Sequence, residues 1–212
     1  MTNFRDYFPL NRINTRIKRI YALYLANYVF VHINKNGGSS IAEALGLPQQ
    51  FHYTALEYKQ ILGNKHWNER FKFTFVRNPW DKVVSQYHYT HGRGEREIKD
   101  GDLDFTQWIK LKYGSKIIGK IKHPKRSMPE LFLPQINWIT DENGKIIVDF
   151  IGRFENIEKD FLKVCEIIGK EKELPHLRKS NHKPYTYYYN EETREIIRKR
   201  FQKDIEIFGY KF

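Results

Sequence analysis

The chain has 212 residues, 40% of them apolar and 16% aromatic, which is enough bulk for one hydrophobic core and too much for a disordered chain. Its 37 Lys and Arg against 25 Asp and Glu give a formal net charge of +12, a positive field suited to nucleic acid, an anionic membrane, a polyanionic sugar or a highly phosphorylated nucleotide. Cys165 is the single cysteine, which excludes an internal disulfide and a thiolate-clustered zinc site.

No repeat, low-complexity tract or long linker divides the sequence, so a single domain over residues 1–212 is expected. The opening MTNFRDYFPLNRINTRIKR has no apolar signal-peptide centre, and no stretch is long and apolar enough for a bilayer. The expectation is a cytoplasmic protein without a stable membrane anchor. Residues 28–33 (YVFVHI) predict a buried strand, and 39–46 (SSIAEALG) a helix with serine at its start and Gly46 at its end. Over 54–62 (TALEYKQIL) the spacing is helical, with Thr54 and Glu57 forming a capping box. Residues 71–76 (FKFTFV) alternate as a second strand. RNPW then starts a helix, with Asn78 as cap and Pro79 at the first helical position, where its missing N–H costs nothing.

The middle, 92–128, reads as a long irregular insertion holding a short helix over 104–112, and such insertions are often functional. A strand is expected over 146–153 (IIVDFIGR) after a DENG turn, a helix over 155–168, a polar, basic and aromatic loop over 178–190, and a closing helix over 191–207. Strands alternating with helices predict an α/β, P-loop-like three-layer fold with a central, mostly parallel sheet.

In such a fold the loop after the first strand lies at the carboxyl edge of the sheet, where ligands bind. NKNGGSS supplies the parts of a phosphate cradle. Gly37 and Gly38 allow close backbone approach, the next helix brings donors, and Ser39 and Ser40 add hydroxyls. It is not a Walker A loop, because Lys35 precedes the glycines instead of following them. From this loop alone, a plain glycine turn into a helix serves as well. In FVRNPWDKVVSQY, Arg77 leaves a strand and Ser85 lies two turns into the following helix, so a guanidinium and a hydroxyl could converge on one phosphate.

With these blocks the sequence resembles the sulfotransferases that use 3'-phosphoadenosine 5'-phosphosulfate, and among them the carbohydrate sulfotransferase branch. In that family a loop similar to PKTGGTS binds the 5' phosphosulfate, and an arginine and a serine of RNPxxRxxSxY bind the 3' phosphate. HINKNGGSS and RNPWDKVVSQY match these patterns, while IGRFENIEKDF and LRKSNHKPYTYYY resemble later blocks, in order. Asn34 stands where proline is common, and Lys82 replaces the second arginine of the RNP block.

The resemblance implies that Lys35 stabilises charge on the leaving phosphate, and that Asn36, Gly37, Gly38, Ser39 and Ser40 hold the 5' phosphate. It assigns the 3' phosphate to Arg77 and Ser85, with Arg153, Lys179, Ser180 and Lys183 completing the nucleotide site. A hydroxyl acceptor, on a carbohydrate or another molecule, needs a general base. His52, just before the capped helix, is the expected base, with His88 and Glu43 as alternatives; the segments near Trp108 and Trp138 are expected to shape the acceptor site. No metal is expected. Two readings of other classes stay open: a basic polyanion or nucleic-acid binding protein, for which KPYTYYY interleaves aromatics with cations, and a P-loop-type nucleotide kinase without the Walker lysine. The spacing of lysine before the glycine pair and of arginine before serine favours the enzyme and argues against a nucleic-acid partner.

Overall fold

The computed structural model describes residues 8–49, 51–91, 103–114, 132–175 and 183–212. Three parallel strands, β1 (Tyr28–Val31), β2 (Phe71–Val76) and β3 (Phe150–Arg153), lie in the order β1-β2-β3. The register pairs Val31 with Thr74 and Val76 with Arg153, so the residues that follow all three strands emerge at one edge. Thr74 Oγ1 donates to the Val31 carbonyl at 2.7 Å, tying β1 to β2 just before that edge.

Helices cover both faces, as a parallel sheet requires. Tyr28, Phe30, Phe73 and Phe75 point to one face and pack against Ile41 and Ala42 of α2 (Gly38–Ala44) and against Phe161, Val164, Cys165 and Ile168 of α6 (Ile157–Ile168). Their neighbours Val29, Val31 and Val76 point the other way, onto Ala55, Tyr58 and Leu62 of α3 (Ala55–Asn68) and onto Ile136, Trp138, Ile139, Phe208 and Tyr210. A third cluster joins α4 (Pro79–His91), α5 (Phe105–Tyr113) and α7 (Glu191–Arg200) through Trp80, Val83, Val84, Phe105, Trp108, Ile109 and Ile197. The architecture is the expected α/β arrangement with a parallel sheet flanked by helices.

Local signals act as the sequence implies. Thr54 Oγ1 accepts from the Glu57 amide at 3.2 Å while the Glu57 carboxylate accepts from the Thr54 amide at 2.7 Å, closing the capping box of α3. Asn78 Oδ1 accepts from the Trp80 amide at 3.0 Å at the start of α4. Asp104 caps α5 in the same reciprocal way with Gln107.

Three elements differ from expectation. The third strand is shorter, because Ile146–Val148 are diverted: the DENG turn folds them back so that Thr140 bridges Ile146 and the Ile147 amide donates to the Ile139 carbonyl at 2.9 Å. The closing helix breaks at Phe201 into α7 and α8 (Gln202–Phe208), since Phe201 turns fully into the third cluster beside Tyr113. Ahead of β1 stands a helix for which no element was expected, α1 (Phe8–Ile20), continued by a π-helical turn, Tyr21–Leu25. Residues 92–102 and 115–131 of the middle segment lie outside the described residues. Trp108 and Trp138 are wholly buried in two different core clusters, so any part the segments around them take in an acceptor site is played by their neighbours.

Candidate active site

Two turns of chain meet at the carboxyl edge of the sheet. After β1 the backbone reverses into α2 through two left-handed residues, Lys35 (φ 68°) and Gly37 (φ 77°). Glycine takes that conformation freely, whereas for lysine it costs on the order of 1–2 kcal/mol. Gly38 is needed for a different reason: a Cβ there would overlap the ring of His32, which is buried between Phe30 and His52. At the other glycine, Ile157 and Phe154 close the space where a Cβ would stand. The cradle is therefore shaped by neighbours on three elements.

Arg77 follows β2 and is only 5% exposed. Its Nη1 donates to the Lys35 carbonyl at 3.0 Å, its Nε donates to Asp81 Oδ2 at 2.7 Å, and its guanidinium lies 4.0 Å from the Phe154 ring centroid. A guanidinium has five N–H donors in a fixed plane. With two used to orient it, the remaining three suit an anion. Asp81 and Ser85 recur every four residues and share one face of α4, as does Tyr89 one turn further. The Lys35 ammonium reaches that face and sits 4.1 Å from the centre of the Tyr89 ring. Lys35 and Arg77, which come from two distant blocks, thus meet, with Ser85 on the α4 face that the Lys35 ammonium reaches; Ser85 is buried, Ser40 is buried and Ser39 is half-buried.

The hub of this edge is a residue that sequence reasoning did not single out. Gln135, wholly buried, accepts at Oε1 from Asn36 Nδ2 (2.7 Å) and from the Arg77 amide (2.9 Å), and its Nε2 donates to the Arg77 carbonyl at 2.8 Å. Asp204 in turn accepts from the Gln135 and Ile136 amides at 2.7 and 2.9 Å. Nothing in a lone glutamine between Pro134 and Ile136 signals this, because its partners lie in other blocks. Asn36 spends both amide donors inward, on Gln135 and on the Phe75 carbonyl at 2.7 Å, so the only donor it can offer an anion is its backbone N–H.

Lys82, with no exposed surface, lies behind Arg77 near Asp204. Burial pushes its ammonium down to about 8, against the pull of Asp204 and with the help of Arg77, while burial pushes the Asp204 carboxyl up against the Gln135 and Ile136 N–H groups and Lys82.

His52 Nδ1 bonds the His32 carbonyl at 3.1 Å, and the two rings are 4.4 Å apart. A carbonyl only accepts, so the neutral ring carries its proton on Nδ1 and its lone pair on Nε2, the form a base requires. His32, which carries both His52 and Gly38, was not distinguished from the other histidines by sequence. His88 Nε2 bonds the Tyr188 hydroxyl at 2.9 Å, in the aromatic cluster of the third core. Glu43 lies at the surface, accepting from Gln49 at 3.0 Å and 3.8 Å from Lys18.

The nucleotide-site candidates divide. Arg153 pairs with Val76 in the sheet register, but its guanidinium donates to the Phe208 carbonyl and lies 4.9 Å from the Tyr210 ring, toward the C-terminal segment. Lys183 is exposed, 5.7 Å from the Tyr187 ring, and Lys179 and Ser180 fall outside the described residues. Among the described residues no three His, Cys, Asp or Glu side chains group as a metal site.

The edge offers a cradle and buried donors to an anion. Asn34 Nδ2, at the mouth of the loop, is a buried donor with no acceptor among the described residues, which fits such a ligand. A model of the sulfotransferase family matches residues 15–211, which span both turns and the Gln135 hub. The chain belongs to the sulfotransferase family. This sulfotransferase is also 35% identical over 113 residues to an uncharacterized protein of Archaeoglobus fulgidus, a match covering 53% of this chain and 79% of that one. No solved structure matches it.

Proposed function

We propose that this sulfotransferase uses 3'-phosphoadenosine 5'-phosphosulfate as donor and a carbohydrate hydroxyl as acceptor, by in-line displacement. The observation that carries the reading is the Arg77 hydrogen bond to the Lys35 carbonyl, which joins the two phosphate-binding blocks into one site. The donor supplies an activated sulfuryl group. Lys35 stabilises the charge that gathers on the departing phosphate, a preorganised contribution made in a largely buried setting. Gly37, Gly38, Ser39 and Ser40 hold the 5' phosphate through backbone N–H groups and hydroxyls.

Arg77, oriented by Asp81 and Phe154, reads the 3' phosphate with Ser85 on the adjacent face of α4. His52 Nε2 takes the acceptor proton as the acceptor oxygen bonds to sulfur and the sulfur–oxygen bond to the 5' phosphate breaks, its electron pair leaving with the nucleotide. Incubation with sulfur-labelled donor and a panel of oligosaccharides tests the activity. Label transferred to a sugar hydroxyl, and lost in Lys35→Ala, is the expected result. Label that stays on the nucleotide across sugars, phenols and amines contradicts it.

A further inference from the structure

Exposed apolar side chains on the described body of the protein are scattered: Ile61 on α3, Leu111 on α5, Leu162 and Ile167 on α6, Tyr187 before α7, Ile207 on α8. The segment before β1 differs. Ile17, Ile20, Tyr24 and Leu25, at the end of α1 and in the π-helical turn, are 57%, 47%, 68% and 71% exposed. Ile17, Ile20 and Tyr24 follow at helical spacing and form one stripe. Its outward aim is fixed, because the other side of the segment is held: Tyr21 and Ala22 pack on the first core cluster, Leu23 packs on the second, and Arg70 Nη1 donates to the Leu23 carbonyl at 2.9 Å.

Arg16 borders the stripe, and two further cations of the same segment, Lys18 and Arg19, lie toward the body of the protein. Arg16 and Arg19 are exposed and Lys18 half-buried; Lys18 stands 3.8 Å from Glu43, and the Arg19 guanidinium 5.0 Å from the Phe51 ring. We propose that this segment docks the sulfotransferase on an anionic lipid surface, lying in the plane of the interface. An amphipathic helix of this kind buries its apolar stripe at the headgroup boundary while Lys and Arg meet anionic headgroups. A second copy of the chain is a poorer occupant, since a two-fold pairing of this stripe would bring the two Arg16 side chains and two molecules of net charge +12 together. Nucleic acid would engage the cations and leave the four apolar side chains in water.

The test is co-sedimentation of the full chain with phosphatidylcholine vesicles, with and without phosphatidylserine. Binding is expected only with phosphatidylserine, to weaken as salt rises, and to fall at least about tenfold in the Ile20→Glu/Tyr24→Glu variant and in Arg16→Gln/Lys18→Gln. Arg16, Ile20 and Tyr24 are exposed, and half-buried Lys18 loses only a solvent-exposed ion pair with Glu43, so both variants should melt with the parent protein. No binding to anionic vesicles at low salt overturns the proposal. Binding that both variants retain also overturns it, by assigning the contact to another surface, as does a dimer that the first variant dissociates while vesicles bind nothing.

Discussion

Lys35 holds a left-handed backbone while its ammonium lies against Tyr89, so its main chain is strained at the residue proposed to meet the leaving phosphate. Lys35→Gly should leave stability unchanged or raise it by up to about 1 kcal/mol, because glycine adopts that φ without cost and gives part of the gain back in unfolded-chain entropy. The same change should cut turnover with the phosphosulfate donor at least about 100-fold; denaturant melts and rates on one preparation check both halves. His52→Ala should slow turnover by a similar factor and leave nucleotide affinity nearly intact, a split that separates a base from a binding residue. Gly38→Ala should cost about 1–3 kcal/mol, read from urea unfolding, since its new methyl must displace the buried His32 ring. Gly37 is legible because its own backbone needs a left-handed conformation, and Arg77 because it stands in a recognisable motif before Asn-Pro. His32 and Gln135 are not, because their importance comes from atoms remote in sequence.

Helix starts and the second strand were legible at the scale of elements: a capping box, an Asn-Pro start and a strict alternation over 71–76 are local, and the fold leaves them as they are. The break between α7 and α8 was not, since nothing in REIIRKRFQK forbids one continuous helix. It follows from burial of Phe201, and it brings Asp204 to the Gln135 and Ile136 amides. Asp204 and Lys82 then share a buried interior behind the site, and this carries a pH dependence. The folded-state value for Lys82, about 8, lies below its ordinary 10.5. Between those values the unfolded chain holds the proton and the folded chain does not, so stability rises with pH across that window. Urea unfolding near pH 7 and pH 10 should show the parent protein gaining on the order of 2–3 kcal/mol relative to Lys82→Met. Asp204, raised from its ordinary value, contributes stability at low pH that is lost as pH rises through the acid range, outside that window.

Across the whole molecule the parallel sheet brings residues 34–40 and 77–85 to one edge, and a net charge of +12 suits both an anionic donor at that edge and an anionic surface beside α1. No described helix is long and apolar enough to cross a membrane, so a contact through α1 would be peripheral. The α/β class followed from strand and helix periodicity and the two candidate binding blocks from their motifs and the family resemblance, while the three-element support of the cradle required the packing. The central claim is that Arg77 and Ser85 make one site with the Lys35 loop and read a 3' phosphate. Calorimetric titration with 3'-phosphoadenosine 5'-phosphate, beside 5'-AMP and ATP, tests it most directly. The account predicts that the bisphosphate binds at least about 100-fold more tightly than 5'-AMP or ATP, and that Arg77→Lys, which keeps the charge but loses the paired hydrogen bonds, removes most of that preference. Equal binding of all three nucleotides, or none at all, would contradict it.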